Sequence, residues 1–250
     1  MNTRVRTPLC LVVAFAAVSP PAPSVQITVI MSGGFFAAYQ QLLPEFETDT
    51  GITVVTARGP SQGDGPTTIG AQLRRGLPAD MVIMNREGLE GLIAERRVVA
   101  ETVVDIADVP LGVAVRHGSV KPDIATVDAF TQALLHVRSI ASDSSALMFV
   151  KRELLPRLGV VADVVDDGTA AVANGECDFV ILPASELLQA QGVDFVGRLP
   201  AEIQHVSVFS AAIVVGATEV PASKKLMAFL TSEKATAAIR KAGMEPSRRR

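Results

Sequence analysis

The sequence predicts an α/β protein of two lobes, each a mainly parallel sheet flanked by helices, the two joined by a pair of crossing strands. Three observations predict it. Short β-branched apolar runs alternate with stretches whose apolar residues recur at helical spacing, as in Val25–Met31 followed by Phe35–Thr48. The pattern starts over past Arg116, after a long apolar stretch broken by Pro110 and Gly112. Finally, three Ser- and Gly-containing loops each stand where a strand gives way to a helix: Ser32-Gly33-Gly34, Gly59-Pro60-Ser61-Gln62-Gly63 and Ser142-Asp143-Ser144-Ser145. In sheets of this kind, ligands sit beyond the carboxyl ends of the strands.

The elements follow in order. Residues 1–24 read as a secretory signal: Arg4 and Arg6 open it, Pro8–Val18 is apolar, and Ser19–Ser24 is a small-residue exit. The apolar run falls short of the roughly 20 residues a spanning helix needs, and Cys10 belongs to the leader. The mature chain is then expected to be a secreted, soluble monomer. Gly51 ends the first helix, Ile52–Ala57 is a strand, and Thr67–Arg75 a helix that Gly76 and Pro78 stop. Met81–Met84 is a strand and Leu89–Ala94 a helix, after which Asp105–Arg116 crosses to the second lobe, since a proline within a strand suits an edge or crossing point. The second lobe reads as helix Val127–Leu135, strand Ser139–Ala141, helices Ala146–Leu158 and Thr169–Ala173, strand Cys177–Leu182 and helix Glu186–Ala190. Val206–Val215 returns to the first lobe, and helices Ala222–Thr231 and Glu233–Ala242 complete it. The boundaries expected are 25–107 with 206–250 for lobe 1 and 108–205 for lobe 2.

Composition narrows function. A net charge of −3 gives no bulk attraction to nucleic acid or anionic lipid. Aromatics make up 4% of the chain, with no Trp and one Tyr, which disfavours base-stacking platforms and aromatic sugar sites. Loss of the leader leaves Cys177 as a lone thiol in an apolar strand, a buried structural residue. No His, Cys, Asp or Glu cluster has metal-ligand spacing, so no metal and no cofactor is expected.

The loops carry the chemistry. Backbone N–H groups and hydroxyls at the positive end of a helix dipole form a seat for an anion, and glycines let a ligand approach closely. Ser32, Gly33, Gly34, Ser61, Gly63, Ser142, Ser144 and Ser145 are therefore the candidate ligand-binding residues, while Asp143 reads as a helix cap. Arg58 could pair with a carboxylate, or be a solvated surface residue. His117, Asp64 and Glu186 are possible proton carriers that converge on no motif. Gly59-Pro60-Ser61-Gln62-Gly63 matches the letters of a nucleophile elbow, but its loop is long, Pro60 restricts it, and the only late histidine, His205, falls in the returning strand.

Joined to their surroundings, these loops resemble a family. Ile27-Thr28-Val29 with Ser32-Gly33-Gly34-Phe35, Leu43-Pro44-Glu45-Phe46-Glu47, Gly76-Leu77-Pro78-Ala79-Asp80, Asp143-Ser144-Ser145, Phe229-Leu230-Thr231-Ser232 and Gly243-Met244-Glu245-Pro246 occur in the order found in type II periplasmic solute-binding proteins of the molybdate-binding kind. The resemblance implies the two-lobed periplasmic binding protein type II fold. It also implies that Ser32, Ser61 and the 142–145 loop contact a small anion in the cleft, and that an inner-membrane ABC permease receives it. Val180–Ala184, including Pro183, stands where those proteins place a ligand-binding Tyr. The Ser-Gly-Gly-Phe and Gly-Pro-Ser loops are most similar to a branch that the aconitate isomerases also resemble. An isomerase would need a base next to a substrate carboxylate and an acid to return the proton; a binder needs only neutral donors, which these loops supply, so the expected function is capture of a small oxyanion or carboxylate, with the isomerase as the alternative and no catalytic residue assigned.

Overall fold

A computed structural model describes residues 25–143 and 146–247. The expected leader, Ser144, Ser145 and the Arg248–Arg250 end lie outside the described residues. Among the described residues no helix is long and apolar enough to cross a membrane.

The first half of the chain alternates as its pattern predicts. β1 (Gln26–Met31), α1 (Phe36–Thr50), β2 (Thr53–Arg58), α2 (Ile69–Arg74), β3 (Met81–Asn85) and α3 (Arg86–Ala94) are followed by the long β4 (Val104–Arg116). Next come α4 (Val127–Leu135), β5 (Ser139–Ser142), α5 (Leu147–Phe149), a π-helical turn (Val150–Leu154), α6 (Leu155–Leu158), β6 (Asp163–Asp166), α7 (Ala170–Ala173), β7 (Phe179–Pro183), α8 (Ala184–Leu187) and β8 (Val193–Arg198). β9 (Val206–Ile213), α9 (Val220–Leu230), α10 (Glu233–Lys241) and the short β10 (Glu245–Pro246) close the chain.

The strands form one curled sheet in the order β2-β1-β3-β9-β4-β7-β5-β6, with β8 and β10 also pairing β4. Parallel pairing is confined to the outer strands: β1 with β2 and β3, β5 with β6 and β7. The pairs involving β4 and β9 are antiparallel, so the sheet is mixed. β6 and β8, which lack a strong apolar run, are strands that the sequence pattern misses. The helix expected over Ala146–Leu158 is interrupted by its π turn.

Both faces of the first lobe's strands are covered, which is why they are apolar almost throughout. Successive side chains alternate between two cores. Val29, Met31, Met81, Ile83, Ala211 and Ile213 pack with α1, α9 and α10. Ile30, Val82, Met84, Ala212 and Val214 pack with α2 and α3 on the other face. The second lobe has its own core, drawn from Leu111 through Ile203.

β4 runs through both lobes. Its residues Val104–Pro110 pair with β9, and Leu111–Val115 pair with β7. Pro110, which has no N–H to give, sits at the changeover opposite Val206. The returning chain is clamped there by Gln204. Its Oε1 accepts from Leu111 N–H at 2.8 Å, and its Nε2 donates to the carbonyls of Leu111 (3.1 Å) and Leu199 (3.0 Å). Leu111 N–H also reaches His205 O at 3.1 Å. Of the two crossing stretches, β4 is thus continuous, while the return is made by Gln204–His205, and β9 lies along the first lobe.

Asp80 pins the first lobe from below. Its side chain accepts from Thr28 N–H (2.8 Å), Thr218 N–H (2.9 Å), the Thr218 hydroxyl (3.2 Å) and Glu219 N–H (3.0 Å). Burial would raise its pKa, but these donors more than offset that and hold the carboxyl below its ordinary value. A carboxyl lowered in the native state contributes stability that is present above its unfolded pKa and lost as pH falls through the folded one. Asp80→Ala, which orphans these donors, is expected to cost about 2–4 kcal/mol in urea unfolding and to flatten the acid limb of the stability curve.

Candidate functional site

The cleft is built on the loop after β1. Ser32 is extended and donates its N–H to Ile83 O at 3.0 Å, continuing the sheet. Gly33–Phe35 then make one 3-10 turn before α1. Gly34 is fixed by packing: a Cβ there would stand 2.4 Å from Cζ of the buried Phe209. Its carbonyl accepts from the Ser185 hydroxyl of the second lobe at 2.7 Å, a buried bond joining the lobes at the cleft floor. Gly33 faces the opening instead. A Cβ there would lie 3.3 Å from Glu186 Oε1 and 3.5 Å from Arg58 Nη2, so the bare Cα leaves room for guanidinium and carboxyl to approach one another.

The second loop is held differently from the sequence expectation. α2 begins only at Ile69, capped by Thr68, whose hydroxyl accepts from Ala71 N–H. Ser61 therefore stands well before the helix and outside the reach of its dipole. Gln72 shapes the loop by donating to the carbonyls of Arg58 (2.9 Å) and Thr67 (2.7 Å). Ser61 is buried and accepts from Asn85 N–H at 3.1 Å while donating to Ser32 Oγ at 2.8 Å. With the proton of Ser61 committed to Ser32, the hydrogen of Ser32 is the one left to serve a ligand.

Ser32, Gly33, Arg58, Gly59, Pro60, Ser61 and Thr67 from the first lobe and Asp143 and Glu186 from the second line a cavity of about 370 Å³. Arg58 ends β2, with its guanidinium carbon 4.0 Å above the centre of the Phe36 ring, a cation–π contact worth about 0.5–1 kcal/mol at an exposed site. Glu186 is the third residue of the short α8, which follows directly on Pro183 at the end of β7. Burial, and then the negative charge of Asp143, push its pKa up to about 8, with Arg58 acting in the opposite direction. The cavity thus holds hydroxyl donors, one cation, and a carboxyl that keeps its proton near neutrality.

The structure brings Ser32, Gly33, Ser61 and Arg58 together and leaves other candidates elsewhere. Ser142 is fully buried and donates its hydroxyl back to Ile181 O at 2.9 Å, so it braces β5 on β7 and does not reach the cavity. Gly34 contributes packing and the contact with Ser185. Gly63 is exposed and does not line the cavity. Pro183 ends β7 opposite Leu111 and serves as the lead into α8. His117 pairs with Asp194 at 2.9 Å on the surface, and His205 stacks on Phe149 at 4.6 Å, so neither histidine lies among the cavity-lining residues. Asp143 lines the cavity, a role its reading as a cap did not include. Asn85, which orders Ser61 through its backbone, gave no sequence signal. Glu186 was visible only as one acid among several, since its partners come from remote segments. Cys177 is buried in the second lobe's core.

Two α/β lobes thus share a strand and enclose a polar cavity between them. The chain belongs to the bacterial extracellular solute-binding protein family, whose model matches residues 27–245. It is 34% identical over 233 residues to an aconitate isomerase from a Pseudomonas species, covering 90% of this chain and 89% of that protein. Solved structures share the fold at lower identity. The periplasmic molybdate-binding protein of Azotobacter vinelandii is 22% identical with a TM-score of 0.68, covering 89% of this chain and 100% of that one. The sulfate-binding protein SubI of Mycobacterium tuberculosis is 17% identical with a TM-score of 0.67, covering 89% and 87%.

A carboxyl whose native pKa lies above its unfolded value makes the folded state bind the extra proton, so stability falls as pH rises between the two values. For Glu186 that window runs from its ordinary 4.5 to about 8. Glu186→Gln, neutral at every pH, is expected to remove this part of the decline. In thermal melts across pH 5–9, the gain in Tm over the parent should grow with pH and level off near pH 8.

Proposed function

We propose that the cleft takes a small polycarboxylate and catalyses an allylic proton shift of the aconitate isomerase kind. The observation that carries this reading is the proton-holding Glu186 beside Arg58 across the bare Cα of Gly33. A site built only to hold a fully ionised oxyanion gains nothing from two carboxyl groups in its wall. A site that moves a proton requires one tuned near the working pH, and Glu186 meets that requirement. The 34% identity to an aconitate isomerase supports the same class of substrate.

In trans-aconitate the reaction breaks one C–H bond at the methylene and forms one at the far carbon of the three-carbon frame, with the double bond moving between them. The ionised fraction of Glu186, a minority form below its pKa of about 8, takes the methylene proton and, as the acid, returns it to the other carbon; nothing is oxidised or reduced. Burial, assisted by the negative charge of Asp143, keeps the pKa of Glu186 high enough for it to accept that proton. Arg58 neutralises the charge that spreads onto a substrate carboxylate in the intermediate, and Ser32, ordered by Ser61, donates to a carboxylate oxygen. Contact with Ser185 holds the lobes together around the site.

Family membership and the Ser32–Ser61 donor pair support a second reading, in which the chain captures an anion for an ABC permease. Under either reading the leader delivers the protein to the periplasm, and residues 25–107 with 206–250 and residues 108–205 move as two lobes.

Incubation of the purified protein with trans-aconitate should release the cis isomer, detected chromatographically. Glu186→Gln should lower the rate at least 100-fold while leaving the far-UV circular dichroism unchanged. Absence of turnover in the parent, together with ligand-dependent thermal stabilisation, would replace the isomerase by the transport reading. Ser32→Ala should weaken binding by about 1–3 kcal/mol in calorimetry under both.

A further inference from the structure

A second cavity, of about 400 Å³, adjoins the first. Gly33, Arg58, Asp143 and Glu186 border both, so the division between them consists of three side chains standing over a residue that has none. Beyond that division the character of the wall changes. Phe36, Ala37, Leu182 and Ala190 supply an apolar floor, and the remaining polar groups are neutral: the amides of Gln40 from α1 and Gln189 just past α8, and the hydroxyls of Thr169 and Ser185. Ser185 is already engaged with Gly34 O, whereas Gln40 and Gln189 are exposed at the rim, one from each lobe.

Each cavity alone falls within the range of about 300–1,000 Å³ seen for small-molecule sites. A single small anion on Ser32 and Ser61 leaves the second one unused. Arg58 lies between them, stacked on the Phe36 ring that lines the second cavity, so its planar fork can face a group at the division. A ligand with carboxylates on three successive carbons matches this layout: one on the serine pair, one at Arg58, and the third among neutral amide donors.

We infer that the second cavity is a recognition subsite for the terminal carboxylate of a tricarboxylate, with Gln40 and Gln189 as its specificity-determining residues. The inference rests on the polycarboxylate reading above and adds the element that separates tricarboxylates from dicarboxylates. Because each lobe supplies one amide, the third carboxylate is engaged only when both lobes face the same ligand. Neutral amides there avoid a second cation, which would bind shorter dicarboxylates across the division and blunt the discrimination.

The test uses the full mature chain and two unreactive probes, propane-1,2,3-tricarboxylate and succinate, with affinities from titration calorimetry. The parent should prefer the tricarboxylate. The double variant Gln40→Ala with Gln189→Ala should lose about tenfold in tricarboxylate affinity while its succinate affinity stays within twofold. Both side chains are exposed, so folding is preserved and a Tm close to the parent's verifies it. An unchanged tricarboxylate affinity in the double variant, or an equal loss for both probes, overturns the subsite and leaves the polycarboxylate reading standing. Failure of the parent to bind either probe overturns both.

Discussion

The cleft depends on how Gly34 is held. Below it the Phe209 ring fills the space that a side chain would need, and above it the hydroxyl of Ser185 donates to its carbonyl from the opposite lobe. These two contacts fix the height and direction of Gly33, and Gly33 in turn sets the gap in which Arg58 and Glu186 approach each other. A change in either contact would alter the distance between the first lobe's cation and the second lobe's acid. The electrostatics of the site are therefore a consequence of packing, because the raised proton affinity of Glu186 requires both its burial and its closeness to Asp143.

The hydroxyls are arranged on the same logic. Ser61 would be an ordinary loop serine if Asn85 did not present its N–H to it, and Asn85 occupies that place because β3 ends there and α3 begins. The bond passes from Asn85 to Ser61 to Ser32, so that the hydrogen of Ser32 is the one left uncommitted by this chain, at a cavity wall ordered by the sheet. Preorganisation of this kind spares the ligand the cost of ordering the loop.

Much of the fold was legible in the sequence, because long segments with clear periods declare themselves: α1, α4, α10 and the strands β1, β3 and β4 fall within a few residues of their expected places. β6 and β8 were not legible, since partly exposed strands at the sheet's margin carry no strong apolar run. The site was legible by half. Ser32 and Ser61 sit in loops with glycine signals, but the reasoning that pointed to them, a helix dipole at each loop, applies to α1 and not to the loop of Ser61, where α2 begins too late. Ser142 matched the same pattern and turned inward, because a hydroxyl at the end of a buried strand finds a carbonyl on its neighbour. Asp143 and Glu186 acquire their significance only through proximity, which a linear chain does not display.

One feature of the crossing bears on how such sites change over evolutionary time. The second core begins at Leu111 and ends at Ile203, and the chain enters and leaves it at one place, where Leu111 N–H meets Gln204 and His205. A contiguous cassette with abutting ends can be exchanged in a single recombination without rethreading the remainder. Both carboxyl groups of the cleft lie on that cassette, whereas the serine pair and Arg58 lie on the recipient half. A scaffold of this kind can in this way acquire or shed the carboxyl groups of its cleft in one genetic step.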